Sequence, residues 1–229
     1  MTNVILVANW KQSGKRTEAL TWIDTFDKER SILSKNVQII VCPPLKALDL
    51  VAEQISAKNL PIDVGIQDID PIEFEGEKNT GANSPALLTD SANYAIVGHS
   101  ETRRNFALTD EDITKKVTGA KKNNLIPIVC ISTINQVSAL KSFHPDFDAI
   151  IAYEPLFAIG SGNPDTPENA NAVGEKIKEI FSHATVIYGG SVEGGNVKSF
   201  LQQSNISGVL VGNRSLDGNF FLEIVKNAH

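Results

Sequence analysis

Short apolar runs recur along the chain, separated by longer stretches in which apolar positions return every third or fourth residue. The runs are Val4–Ala8, Val37–Cys42, Ile62–Ile66, Tyr94–Val97, Ile126–Ile131, Ala149–Tyr153, Thr185–Tyr188 and Gly208–Val211. They are rich in Val and Ile and apolar nearly throughout, as parallel strands covered on both faces must be. The amphipathic stretches between them predict helices at Thr17–Arg30, Leu45–Ala57, Asp110–Lys122, Glu168–Phe181, Asn196–Gln202 and Phe220–Lys226. Shorter segments at Pro85–Thr89 and Asn135–Lys141 fill the remaining intervals. Helix-start signals at Thr109-Asp-Glu-Asp112 and Thr166-Pro-Glu168 support two of these spans, because a threonine hydroxyl accepts from an otherwise unpaired N–H of the first turn. Eight such strand–helix units place the chain in the α/β class as a closed (β/α)8 barrel, one domain over residues 1–229. A doubly wound open sheet is the alternative, but no Gly-x-Gly-x-x-Gly follows the first run, and no linker divides the chain.

Composition narrows the partners. The chain of 229 residues is 41% hydrophobic and 21% charged, a globular profile. Its net charge is −6 with basic residues dispersed, which argues against a nucleic-acid partner. No apolar run approaches membrane length, so no membrane partner is expected. Met1-Thr-Asn lacks a basic flank and Val4–Ala8 is too short for a signal core. Cys42 and Cys130 sit inside apolar runs with neither C-x-x-C nor metal-ligand spacing, as small core residues of a reducing compartment do. A cytoplasmic location is the expectation. An anionic ligand would need a local positive field against that overall charge.

In a barrel of this kind the residues just after each strand build the site. Here they are Asn9-Trp10-Lys11, Gly98-His99-Ser100-Glu101, Glu154, Gly189-Gly190-Ser191 and Gly212-Asn213. Singly, each has an ordinary reading: a solvated lysine, a structural histidine, a tight turn. Together they bring one cation, one imidazole, one carboxylate and two turns rich in N–H donors to one mouth. Glu154 ends the run Asp148–Tyr153 and is pinned by Pro155. The apolar Leu156-Phe157-Ala158-Ile159 follows, closed by Gly160-Ser161-Gly162, and has no core to join except by folding over the site as a lid. A carboxylate facing an imidazole can abstract a proton beside a carbonyl and stabilise the enediolate without metal or cofactor. Strand-to-helix turns bind phosphate through backbone N–H groups. The combination predicts a small phosphorylated carbonyl substrate.

These residues resemble the triosephosphate isomerase family. The match is carried by Asn9-Trp-Lys11, Gly98-His-Ser-Glu101 with Arg103, Ala152-Tyr-Glu-Pro155 with Ala158-Ile-Gly160 and Gly162, Tyr188-Gly-Gly-Ser-Val192, and Val211-Gly212 with Ser215-Leu216. Gln67 and Thr80-Gly81 also fit, and the motifs fall in family order along nearly the whole chain. The resemblance implies a TIM barrel that interconverts dihydroxyacetone phosphate and D-glyceraldehyde 3-phosphate, in glycolysis and gluconeogenesis. This family is itself a standard case of tuned acid–base groups, and the roles are carried over from it. Glu154 would be the base, with His99, Lys11 and Asn9 as donors to the substrate oxygens. Glu101 would orient Lys11, and Cys130 would stand behind the site. Gly160, Ser191, Gly212 and Asn213 would hold the phosphate. Pro155–Gly162 would be the lid, with Tyr188 as its latch beside Ser191. The family pairs as homodimers through a loop here spanning Asp68–Ser84, with Gln67, Thr80 and Gly81 as its markers.

Several positions depart from the family pattern. Phe157 replaces the lid's usual tryptophan, and Gly160-Ser-Gly-Asn163 is followed by Pro164 in the hinge. Proline fixes φ where a hinge must change it, which implies altered lid kinetics with the chemistry retained. Asn213 stands where glycine is usual, a place Asn can fill if a left-handed backbone is all it requires. Ala82, Thr102 and Leu108 replace three charged members of one interface network, so no buried charge is orphaned. A homodimer with a less ionic interface is therefore expected, with a monomer as the rival. The interval between Cys130 and Glu154 is short, which leaves a tetramer through that trimmed face open. Two other functions compete: a phosphoribosyl amino-sugar isomerase, which places acids or cysteine where Asn9 and Lys11 stand, and a catalytically inactive barrel kept to bind phosphometabolites.

Overall fold

The computed structural model describes residues 4–33, 36–70, 80–146 and 150–228. Among them, β1 (Val4–Asn9), β2 (Val37–Cys42), β3 (Ile62–Ile66), β4 (Tyr94–Val97), β5 (Ile126–Ile131), β6 (Ile150–Tyr153), β7 (Thr185–Tyr188) and β8 (Gly208–Val211) pair in parallel in chain order. β8 returns to β1 with Val211 opposite Ala8, closing the barrel and leaving no edge strand. The Asp148 and Ala149 positions of the expected sixth strand lie outside the described residues.

Strand alternation divides the core in two. Ile5, Val7, Ile40, Cys42, Tyr94, Ile96, Ile128, Cys130, Ile150, Ala152, Ile187 and Leu210 point inward and fill the barrel. Their neighbours, such as Leu6, Ala8, Ile39, Val41, Val129 and Val186, point outward beneath the helices. Two glycines mark where the interior has no room. A Cβ on Gly65 would lie 2.7 Å from the Cys42 sulfur, and one on Gly208 would lie 2.1 Å from the Ile5 carbonyl oxygen.

The helices are α1 (Arg16–Lys28), α2 (Leu45–Ala57), α3 (Ser100–Asn105), α4 (Asp110–Lys122), α5 (Ile134–Phe143), α6 (Pro167–Ile180), α7 (Val197–Leu201) and α8 (Gly218–Asn227). On α1 the buried residues are Ala19, Trp22, Ile23 and Phe26, the spacing of a single helical face. Trp22 stacks on Phe26 at 4.1 Å, meets Trp10 edge-on at 5.5 Å and donates its indole N–H to the Ser215 carbonyl. That buried aromatic group locks the first strand's mouth to the last one's. Thr109 and Asp112 cap α4 reciprocally, and Thr166 caps α6 with Pro167 as its first residue, as those start signals require.

Two local expectations are corrected. Pro85–Thr89 forms only a 3-10 turn at Pro85–Leu87, so among the described residues no α-helix stands between β3 and β4. A second helix, α3, instead precedes α4. Its six residues bury nothing, so it has no apolar stripe by which to be read, and its position is set by what it caps.

Candidate active site

The barrel's inward parity continues past the strand ends. Two residues beyond Val7, Gly65, Ile96, Ala152, Ile187 and Leu210 stand Asn9, Gln67, Gly98, Glu154, Gly189 and Gly212. Buried strands therefore deliver one ring of site positions without any special signal. What each position does depends on the turn that follows it.

At the β1 mouth, Lys11 adopts a left-handed backbone, φ 53°, a conformation that costs a non-glycine residue about 1–2 kcal/mol. Its surroundings hold it there. Lys11 N–H donates to Asn9 Oδ1 at 3.1 Å, and Gln67 Nε2 donates to the carbonyls of Lys11 at 2.8 Å and Cys42 at 2.9 Å. Gln67 thus supports the lysine turn from within its own chain. The Lys11 ammonium then reaches Glu101 Oε1 at 2.6 Å. Burial works to raise the Glu101 carboxyl, but the hydrogen-bonded Lys11 outweighs it and holds Glu101 below the usual carboxylate range.

At the β4 mouth, Gly98 has φ 73°, and a Cβ there would lie 3.1 Å from the Arg103 guanidinium. Arg103 is nearly buried. It donates to the Gly98 carbonyl at 2.8 Å and to Asp110 at 2.7 Å, fixing the turn that aims His99. His99 caps α3, and its Nδ1 accepts the Glu101 N–H at 3.2 Å. A ring nitrogen that accepts carries no proton, so the neutral ring bears its hydrogen on Nε2, which faces the barrel mouth.

Glu154 is 1% exposed. Its Oε2 accepts the Ser100 N–H at the start of α3 at 3.0 Å. Its Oε1 lies 3.2 Å from His99 Nε2, yet the alignment does not make a hydrogen bond and Oε1 is left buried without a partner. A buried carboxylate oxygen without a donor is costly, and such atoms persist where function needs them. Cys130 lies against the same carboxylate. Burial, then the Glu154 charge, pushes its thiol well above the usual range and keeps it protonated.

The segment after Glu154 turns through a 3-10 turn at Leu156–Ala158. Phe157 is 64% exposed, so the residue that stands for the family's tryptophan touches little. Gly160 and Gly162 have φ of 66° and 76° with open space around them, so backbone conformation is what demands glycine there. Ser191 Oγ donates to the Ala158 carbonyl at 2.7 Å and accepts the Gly162 N–H at 3.1 Å, holding both arms of the segment with one hydroxyl. Tyr188 OH accepts the Asp165 N–H at 2.8 Å, beyond Pro164. The Tyr188 ring is stacked on Phe200 at 4.1 Å, and burial pushes its phenol up to about 12. Gly190 is glycine because a Cβ would strike the Tyr188 hydroxyl at 2.0 Å.

Lys11, His99, Gly160, Ser191, Gly212 and Asn213 line one cavity of about 590 Å³. Asn9 opens into an adjoining cavity of about 490 Å³ with Gln67, Glu101 and, again, Lys11, His99 and Asn213. Glu154 sits behind the first cavity, drawn back to α3. Asn213 needs no left-handed backbone. Among the described residues positive φ outside glycine occurs at Lys11, Asn59, Ala107 and Asn124, so the conformation expected at Asn213 belongs to Lys11. Thr80 and Gly81 are exposed and away from both cavities, and 71–79 between them and Gln67 lie outside the described residues. The sequence placed Ser100 in the β4 turn without a role, and Asp165 carried no signal. The Ser100 N–H acts through its backbone, and Asp165 matters through a buried carboxylate that accepts from Thr166 N–H at 2.8 Å and Asn169 at 2.7 Å.

Comparison with known proteins agrees with this geometry. The family model described as triosephosphate isomerase matches residues 4–228. Similar curated proteins named triosephosphate isomerase include that of Mesomycoplasma hyorhinis, 33% identical over 245 residues with 98% of each chain covered. The one from Gloeothece citriformis is 34% identical over 243 residues with 99% of each covered. The one from Roseiflexus sp. is 35% identical over 252 residues, covering 98% of this chain and 97% of its own.

Proposed function

The chain belongs to the triosephosphate isomerase family and acts on a triose phosphate, and we propose that its proton is carried by Glu154 between C1 and C2. The reaction interconverts dihydroxyacetone phosphate and D-glyceraldehyde 3-phosphate, a step of glycolysis. The observation that supports this assignment most is the meeting of Glu154 Oε1 and His99 Nε2 at 3.2 Å with the His99 proton fixed on Nε2. In the forward step Glu154 takes a proton from C1 of the ketone. The C1–H electron pair forms the C1–C2 double bond, and the carbonyl oxygen takes the charge. His99 Nε2–H, the Lys11 ammonium and Asn9 stabilise that oxygen. The O1 hydroxyl proton then passes to O2, the O1 electron pair forms the C1 carbonyl, and the enediolate double bond takes the proton held by Glu154 at C2. Ser191, Gly212 and Asn213 hold the phosphate with Gly160. The lid keeps water from the enediolate while Ser191 and Tyr188 hold it down.

The experiment is a coupled assay with glyceraldehyde 3-phosphate as substrate. Steady conversion to the ketone is expected, and an inert, well-folded protein would leave the phosphometabolite-binding alternative in its place.

A homodimer completes the proposal. Leu45 at the start of α2, Leu87 in the 3-10 turn before β4 and Phe106 at the end of α3 are 49%, 78% and 72% exposed. Burying these side chains against a second copy would remove their apolar surface from water. Ala82, Thr102 and Leu108 make that surface less ionic. Sedimentation at micromolar concentration is expected to give twice the monomer mass, and a monomer would remove this part of the proposal. Cys42 and Cys130 are free and buried, which supports a cytoplasmic setting. Among the described residues no helix is long and apolar enough to cross a membrane.

A further inference from the structure

The larger cavity extends beyond the turns assigned to the phosphate, out to Glu193, Asn196 and Arg214. Its charge balance is informative. Among its lining side chains the Asp, Glu, Lys and Arg groups are Lys11, Glu193 and Arg214. Lys11 is committed to Glu101 at 2.6 Å, and the chain as a whole carries −6. A phosphate dianion approaching this mouth therefore finds a net repulsive protein and one cation at the rim not engaged by the proton-transfer groups.

Arg214 directly follows Asn213 and its side chain is 71% exposed. Two contacts hold it in place. Its guanidinium lies 3.9 Å from the Phe220 ring centroid, a stack that restricts the side chain without using its N–H donors. One guanidinium nitrogen lies 3.7 Å from Glu193 Oε2, too long for a hydrogen bond, in a pair whose members are both exposed and so weakly bound. An arginine held by its face, with its planar fork available and a weak carboxylate neighbour, is suited to exchange that carboxylate for a phosphate.

We propose that Arg214 captures the substrate's phosphoryl group at the cavity rim, leaving Glu193 for it, and hands the dianion to the turns at Ser191 and Gly212-Asn213. This deepens the isomerase reading and rests on it. Arg214 governs entry and retention of the substrate. It takes no part in proton transfer, which happens at the other end of a triose at Glu154 and His99. Glu193 is the opposing element: it occupies the guanidinium when the site is empty and lowers the affinity for an anion.

The test is steady-state kinetics of Arg214→Gln, Glu193→Gln and the double variant in low and high salt. At an ionic strength of about 0.01 M, Arg214→Gln is expected to lose about two- to fivefold in kcat/KM through KM, with kcat unchanged. The loss should close at about 0.5 M, where exposed charges are screened. Glu193→Gln should shift KM the opposite way, and that gain should vanish in the double variant. Inorganic phosphate should inhibit Arg214→Gln more weakly than wild type. Turnover of unphosphorylated glyceraldehyde should be the same in all four proteins. A wild-type KM in Arg214→Gln at low salt, or an equal loss on glyceraldehyde, overturns the capture role while leaving the isomerase reading intact. A wild-type protein inert on triose phosphate overturns both.

Discussion

Glu154→Gln is expected to lose about 10²–10⁴-fold in kcat, the range a positioned general base supplies. Glutamine has nearly the same size and keeps an oxygen for the Ser100 N–H, now 3.0 Å from Oε2. The packing of a residue that is 1% exposed is therefore preserved. What disappears is the ability to accept a proton. KM should change little, because Glu154 lies behind the cavity whose wall would hold the phosphate. The melting temperature should change little, since the amide relieves the cost of a buried carboxylate but turns its NH2 toward the His99 Nε2–H, 3.2 Å from Oε1. The measurement is the coupled assay alongside thermal unfolding. Retention of more than a tenth of wild-type turnover by a folded variant would remove Glu154 from the role of base.

Lys11→Met should cost about 10²–10³-fold in kcat/KM, the size of effect seen when one preorganised charge donor is lost from a developing oxyanion. Methionine keeps the length of the stem, and Gln67 still holds the turn carbonyl at 2.8 Å. The stability change should be under about 1 kcal/mol, because the Lys11 and Glu101 side chains are 22% and 38% exposed and solvent screens the pair. Adding Glu101→Gln removes the carboxylate left alone and should restore stability with no return of activity. Recovery of activity in the double variant would show that Lys11 matters only as the partner of Glu101.

The same pair gives a pH signature. Glu101 is held below its usual 4.5 in the folded chain, so it binds fewer protons there than when unfolded. Its contribution to stability is full above that value and is lost as pH falls below it. In Lys11→Met the opposing effect of burial remains, and the acid loss of stability below pH 4.5 should become shallower. An unchanged acid limb in chemical denaturation would mean that the bridge adds nothing to folding.

Much of the barrel was legible because its signals are local. Val/Ile runs such as Ile126–Ile131 can only be strands covered on both sides, and α1 shows its buried face in the spacing of Ala19, Trp22, Ile23 and Phe26. The position of Glu154 just past a strand end is equally local, since strand parity continues into the next turn. α3 escaped because a six-residue helix that buries nothing leaves no periodic trace. The left-handed residue at the site was misplaced for a related reason. Asn tolerates that backbone and attracts the assignment, whereas Lys11 is forced into it by Asn9 and by Gln67, 56 residues away.

The sequence by itself determined the eight strands, their order, the longer helices, the ring of inward positions and which chemical groups end each strand. It did not determine which of those groups touch. Lys11 meets Glu101 across 90 positions, and Ser100 meets Glu154 across 54. Whether two strand mouths stand a hydrogen bond apart depends on the register in which eight strands close, set by β8 returning to β1 with Val211 at Ala8. Parity and propensity act over a few residues, whereas closure is a condition on the whole chain at once. Only the tertiary structure could draw Glu154 back onto α3, put the His99 proton on Nε2, and leave Arg214 at the rim of the cavity.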